Sequence, residues 1–343
     1  MRPFQRRSAL FREGARLHYL TILALTIWRL SGHAYEDIVS KRLADIGKQE
    51  YEKLASLKLL GKIKSERTVW GYIGNAETLG LVVTSGRSTV TKGHVRARYL
   101  SLTAFGEALS YLHETSGAPP ASPELLDTEK MLYFKRFLEI DQQWKGQWFS
   151  KVVSTLPENE FLEQKVLVPL IADATGLSEK YSPSGVIHRV VPKIQWLYDL
   201  DLVGVDETRT RYGLTGKGTR FRDNQKAAWD VNSHYACIAY AYGLRTNRAD
   251  EETVRNTLRS VYGTLASLYE RPPRYVAIAT LRYLLGTLLL AQGYVLEDTA
   301  FDAVVLRLRE LGQVDLTPSP PTAAKGQPIV SSEGRFDLIA VTA

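Results

Sequence analysis

The sequence predicts a mainly α-helical protein with small β-hairpins, arranged as three tandem copies of one unit joined by helical spacers. Three observations predict it: a helix-to-strand junction recurs three times, the same apolar spacing precedes each junction, and a polar hairpin follows it. With 343 residues and 44% hydrophobic content, the chain is long enough and apolar enough to bury a core in each copy.

The first element is the run Tyr19 to Trp28 behind a basic amino-terminus. Its order resembles a secretory leader, but Arg29 interrupts it, and it is shorter than the roughly 20 apolar residues needed to cross a bilayer. Leu17, Leu20, Ile22, Leu23, Leu25, Ile27 and Leu30 fit a buried first helix instead. The junctions read Leu79-Gly80-Leu81-Val82, Leu200-Asp201-Leu202-Val203 and Leu311-Gly312-Gln313-Val314. Ahead of them lie the stripes Val69, Ile73, Ala76, Leu79; Val190, Ile194, Leu197, Leu200; and Phe301, Val305, Leu308, Leu311. Steps of four, three and three keep one helix face toward a core.

Downstream, Leu102-Thr103-Ala104-Phe105-Gly106 matches Leu214-Thr215-Gly216-Lys217-Gly218, with threonine placed to cap the next helix. A hairpin fills the interval: residues 82–101 in the first copy, with turns at Ser85-Gly86 and Lys92-Gly93, and residues 203–213 in the second. The third copy lacks this threonine motif but offers strands Ile329 to Ser331 and Phe336 to Val341 around Glu333-Gly334. Linker composition divides the chain into a basic first unit (1–115), then linker, spacer helix and second unit (116–225), a helical connector (226–270) and a third unit (271–343).

Helix, helix with a leucine-led end, hairpin, then the threonine motif and a closing helix: this order resembles the winged helix of MarR- and PadR-type regulators. The resemblance implies DNA binding, with the second helix of each helix-turn-helix in the major groove and the hairpin on flanking backbone. Unlike copies in one chain are also similar to the recognition half of some type IIS restriction endonucleases and to tandem plasmid replication initiators.

Charge agrees. Residues 1–115 hold 18 Lys and Arg against 10 Asp and Glu, whereas the remainder holds 26 against 27, so all of the +7 basic excess lies in the first unit. The face opposite its stripe carries Arg67, Gly71, Gly74 and Thr78, flanked by Thr68 and Asn75; arginine can pair with guanine and asparagine with adenine. Its hairpin presents Arg87, Lys92, His94, Arg96 and Arg98, the last three alternating on one strand face, and Lys58, Lys62 and Lys64 precede the helix. Equivalent positions in the second copy are His188, Arg189, Lys193, Gln195 and Trp196, with Arg209 and Arg211 on its hairpin; Pro192 kinks or shortens that helix, and Trp196 reads as a packing residue. The third copy is acidic at Glu297, Asp298, Asp302 and Glu310, which suits protein contact or self-association through 271–343 rather than phosphate.

Enzyme motifs are incomplete. Gly216-Lys217-Gly218-Thr219 lacks the earlier P-loop glycine, Arg211 standing there; Glu163-Gln164-Lys165 lacks a nuclease aspartate; His234 and Cys237 read as core. One cysteine and six histidines without ligand spacing point to neither disulfide nor metal site. The expectation is therefore a cytoplasmic, non-enzymatic, cofactor-free protein that binds double-stranded DNA sequence-specifically, in a defence, replication-initiation or regulatory assembly, with no membrane partner. The alternatives are a protein–protein scaffold subunit, or a ligand-responsive repressor with its effector pocket around Trp229 to Tyr242.

Overall fold

The computed structural model describes residues 16–30, 32–43, 66–85, 90–91, 94–95, 98–118, 124–143, 148–158, 160–207, 211–225, 234–267, 275–319 and 326–342. The fold is mainly helical, with small two- and three-stranded sheets. One element order occurs twice, and a third time with added strands and without the closing helix. First come α1 (Leu17–Trp28), β1 (His33–Tyr35), α2 (residues 36–43), α3 (Glu66–Leu79), β2 (Val82–Ser85), β5 (Tyr99–Leu102) and α4 (Ala104–Ser116), with the short pair β3 (Val90–Thr91) and β4 (His94–Val95) between β2 and β5. After the spacer α5 (Asp127–Gln143) come α6 (Phe149–Thr155), β6 (Leu162–Glu163), α7 (Gln164–Ala174), α8 (Pro183–Asp199), β7 (Val203–Val205), β8 (Arg211–Leu214) and α9 (Gly216–Asp223). Beyond α10 (His234–Tyr242) and β9 (Asn247–Arg248) lie α11 (Glu251–Ser267), β10 (Val276–Ala277), α12 (Ile278–Ala291), β11 (Tyr294–Val295), α13 (Asp298–Glu310), β12 (Val314–Thr317), the hairpin β13 (Ile329–Ser331) and β14 (Gly334–Phe336), and β15 (Leu338–Val341). The third run of elements thus starts at α11, inside the stretch expected to be a connector.

Each run closes an antiparallel sheet in which the last strand lies between the other two: β1-β5-β2, β6-β8-β7 and β10-β15-β12. Registers correspond, with Ala34 opposite Leu100 and Val82 opposite Leu102, Leu162 opposite Tyr212 and Val203 opposite Leu214, and Val276 opposite Ile339 and Val314 opposite Val341. Strands β9 and β11 pair in parallel.

The three junctions are the same local structure. Gly80, Asp201 and Gly312 are left-handed at φ 72°, 58° and 70°. In each, the following amide reaches back five residues: Leu81 to Ala76 at 2.8 Å, Leu202 to Leu197 at 2.9 Å and Gln313 to Leu308 at 2.9 Å. Gly80, Asp201 and Gly312 also donate to Glu77, Tyr198 and Arg309, which completes a Schellman motif and satisfies the last helix carbonyls. The stripe residues Ile73, Ala76 and Leu79, then Val190, Ile194, Leu197 and Leu200, and Phe301, Val305 and Leu308 are buried, while Leu311, at the position that Leu79 and Leu200 hold in the other junctions, is 56% exposed.

The exit threonine locks this turn. Thr103 and Thr215 donate their amides to Leu81 and Leu202 and their hydroxyls to the carbonyls of Gly80 and Asp201, while accepting from Gly106 and Gly218 as N-caps. Thr342, which sequence reading missed, does the same without a following motif, donating to Gln313 at 3.0 Å and through Oγ1 to the Gly312 carbonyl at 2.7 Å. Gly106 and Gly218 are glycine because a Cβ at either would collide with the carbonyl of Leu81 or Leu202.

The core runs continuously between copies. Phe134 and Phe137 of α5 meet Trp148, Phe149, Trp196 and Phe221 in an aromatic cluster with centroid separations of 5.0 Å for Phe134–Phe221 and 5.7 Å for Phe137–Trp196. The first pair is edge-to-face and the second stacked, and either geometry adds roughly 0.5–1.5 kcal/mol per pair beyond burial.

Candidate nucleic-acid interface

Helices α3 and α8, which lead into the first two junctions, are the groove-reading elements that the sequence nominates; α13, at the third junction, belongs to the unit that the sequence assigns to protein contact. Helix α5 holds all three from behind. Arg136 Nε donates 2.6 Å to the Leu79 carbonyl at the end of α3, where a cation is favoured by the helix dipole. Lys130 Nζ lies 2.9 Å from Asp201 Oδ2, beyond the end of α8, and Lys135 Nζ lies 3.2 Å from Asp298 at the start of α13.

Lys217 also meets Asp201, at 3.0 Å. Burial works to raise the Asp201 carboxyl, but hydrogen bonds from Lys130 and Lys217 overcome it and hold the group below the usual carboxylate range. Copy one is tied to copy two at Asp199, which accepts from the Leu17 amide at 2.8 Å and from Arg16 at 3.2 Å. These cations on α5 carried no motif; the only signal was Lys130, Lys135 and Arg136 sharing a helix with Phe134 and Phe137.

The nominated contact residues fare differently. Lys62, Lys64, Arg87, Lys92 and Arg96 lie outside the described residues, as does Arg209, and the side chains of Arg67, Thr68 and Gly71 in α3 do too. Thr78 is half-buried and donates to the Gly74 carbonyl at 2.8 Å. Asn75 is fully buried, so its place is the core side of α3 and not the groove face.

Arg98 is not a free cation on the hairpin. It forms a two-bond pair with Glu36 at 2.8 Å and a second pair with Glu77 at 3.3 Å, fastening the start of β5 to α2 and α3. The Glu36 hydrogen bond is the main cause that raises its pKa.

In the second copy the outer face of α8 turns inward. Arg189, Lys193 and Gln195 are buried, at 9%, 8% and 5% exposure, with Tyr181 against Arg189 and Trp148, just ahead of α6, against Lys193. Arg189 donates to the Gly185 carbonyl at 2.8 Å and stacks 3.5 Å from the Tyr181 ring. Lys193 sits 5.5 Å from the Trp148 ring, and burial pulls its ammonium down to about 7 against the attraction of Asp141. Trp196 is fully buried among Phe137 and Trp148, in the packing role its residue type suggested. Of the second-copy cations nominated for contact and within the described residues, Arg211 alone stays exposed, 3.9 Å from Glu163.

In the third copy, two of the four acids are engaged internally, Asp298 with Lys135 and Asp302 with Arg282. Lys217 is held by Asp201, Lys165 pairs with Glu163 at 2.7 Å, and burial pushes the Cys237 thiol up to about 12, away from a nucleophilic thiolate.

Beside these helices, a cavity of about 430 Å³ opens where α4, α5, α10 and α12 meet, with Phe105, Arg136, Glu139, Tyr235 and Tyr283 in its wall. Tyr283 donates to Glu139 at 2.6 Å. Among the described residues, no helix is long and apolar enough to cross a membrane, and no group of three His, Cys, Asp or Glu side chains is placed to hold a metal. Compared with protein-family models, curated proteins and solved structures, the chain matches none.

Proposed function

We propose that the chain is a double-stranded-DNA-binding protein made of three tandem winged-helix units, the first of which supplies most of the grip. The observation that carries this reading is the threefold recurrence of a three-stranded sheet with its last strand central, joined to a basic excess confined to residues 1–115. Contact then rests on α3 and the first hairpin, through Arg67, Thr68, Gly71, Thr78, Arg87, Lys92 and Arg96, with Lys62 and Lys64 on backbone and Arg211 a minor addition. Arg98, Asn75, Arg189, Lys193 and Gln195 serve structure instead.

Selection of bound duplexes from a random pool, followed by a salt titration on the winner, tests the reading. Affinity should fall steeply and linearly in log salt; charge reversal at Lys92 and Arg96 should weaken all sequences alike, and Arg67→Ala should change which sequence is preferred. Failure to retain duplex at low salt, or identical behaviour of the two variants, overturns it. The burial of the α8 outer face favours a scaffold role for the second copy by itself, and a flat salt response of the whole chain would select that reading for all three.

A further inference from the structure

Helix α7 shows an unpaired face. Lys165, Val166, Pro169, Leu170 and Asp173 are its exposed residues, recurring at the helical repeat, while Leu167, Val168, Ile171 and Ala172 pack inward. Val166 and Leu170 are 43% and 44% exposed, and Ile187 on α8 and Phe161 before β6 add two more apolar side chains at 44% and 41%. Between α7 and α8 runs a groove of about 620 Å³ with Val168, Ala172, Tyr181 and Val186 in its wall. Natural monomers seldom cluster large apolar side chains on the surface without using them.

The surrounding charge decides the occupant. Residues 157–187 hold five acids, Glu158, Glu160, Glu163, Asp173 and Glu179, against Lys165 and Lys180, so a polyanion is repelled here. On α7 itself the two charged residues stand at opposite ends of the apolar stripe, eight residues or about 12 Å apart. That pattern is self-complementary: turned end for end, one α7 lays its basic end on the acidic end of another and its apolar centre on the same centre. Such pairing is the requirement of an isologous two-fold contact.

We propose that α7 is the two-fold interface of a homodimer, packing antiparallel against a second copy of this chain, with Lys165 facing the partner's Asp173 and Leu170 entering the mouth of the partner's groove. The inference is independent of whether the first copy binds DNA. Sedimentation velocity on the full chain over a concentration series tests it, with thermal unfolding as the control for folding. The wild type should sediment at twice the mass of one chain, and Leu170→Lys should weaken association by at least about tenfold.

Lys165→Asp and Asp173→Lys should each weaken the dimer, and the double variant should recover association in part, since the pair across the interface is exchanged while the contact of Lys165 with Glu163 is lost. This arm decides the matter if Leu170→Lys proves unstable. A wild type that stays single at every concentration overturns the proposal. So does a dimer indifferent to Leu170→Lys in a folded variant, or a double swap that recovers nothing.

Discussion

Arg136 reaches 57 residues back along the chain to donate its Nε–H to the carbonyl of Leu79, and its guanidinium lies across Gly80, where any side chain would strike it. Gly312 occupies the same left-handed turn in the third copy with open space around it. Gly312→Ala should therefore cost only the backbone penalty, about 1–2 kcal/mol. Gly80→Ala should cost more, by the displacement of Arg136, and Arg136→Met should itself cost about 1–3 kcal/mol. Urea unfolding of the three variants measures the difference.

Asp201 is the only non-glycine with positive φ among the described residues, and it holds two lysines. Asp201→Asn keeps a residue type tolerant of the left-handed region but loses the charge. The folded-state pKa is depressed, so the carboxylate stabilises the fold fully above its unfolded value of about 3.9 and loses that contribution as pH falls through the lower folded value. The stability gap between wild type and Asp201→Asn should be constant near neutrality and close in strong acid.

Gly216→Ala and Gly218→Ala differ by two positions at the start of α9. The nearest atom to a Cβ at Gly216 is Arg220 Nη1, at 3.7 Å, whereas at Gly218 it is the Leu202 backbone. Gly216→Ala should stay within about 1 kcal/mol of wild type. Gly218→Ala, and likewise Gly106→Ala, should lose about 2–4 kcal/mol and a corresponding part of the melting temperature.

Lys193 titrates near 7 in the fold and near 10.4 when unfolded. Protonation of the buried amine is thus a penalty that is complete below about 7 and is relieved as pH climbs toward 10. Lys193→Met should be the more stable protein in mildly acidic buffer, by about 4 kcal/mol at most, with the advantage shrinking steadily between pH 7 and 10. Denaturant midpoints at pH 6, 8 and 9.5 check the trend.

What the sequence shows and hides follows from range. The stripe at Ile73, Ala76 and Leu79 and the threonine at 103 and 215 act through neighbours a few residues away or one hairpin off, and both were legible from spacing. The burial of Arg189, Lys193 and Gln195 depends on tertiary contacts such as that of Lys193 with Trp148, 45 positions earlier, which no periodicity encodes. Only Trp196 hinted at it. Arg98 alternates with its neighbours like a surface residue, yet its partner Glu36 stands 62 positions earlier. Thr342 escaped notice because its lock uses a hydroxyl and an amide without the glycine that made the other two recognisable.

The reach of α5 has a consequence for how this chain can be dissected. A fragment ending at the first linker would be released from Arg136 and from the Tyr133 hydroxyl, which donates to Leu17 in α1. A fragment beginning after residue 226 would strand Asp298 without its lysine. Excised pieces should melt early or aggregate, and the intact polypeptide should unfold in one concerted step rather than as beads on a string.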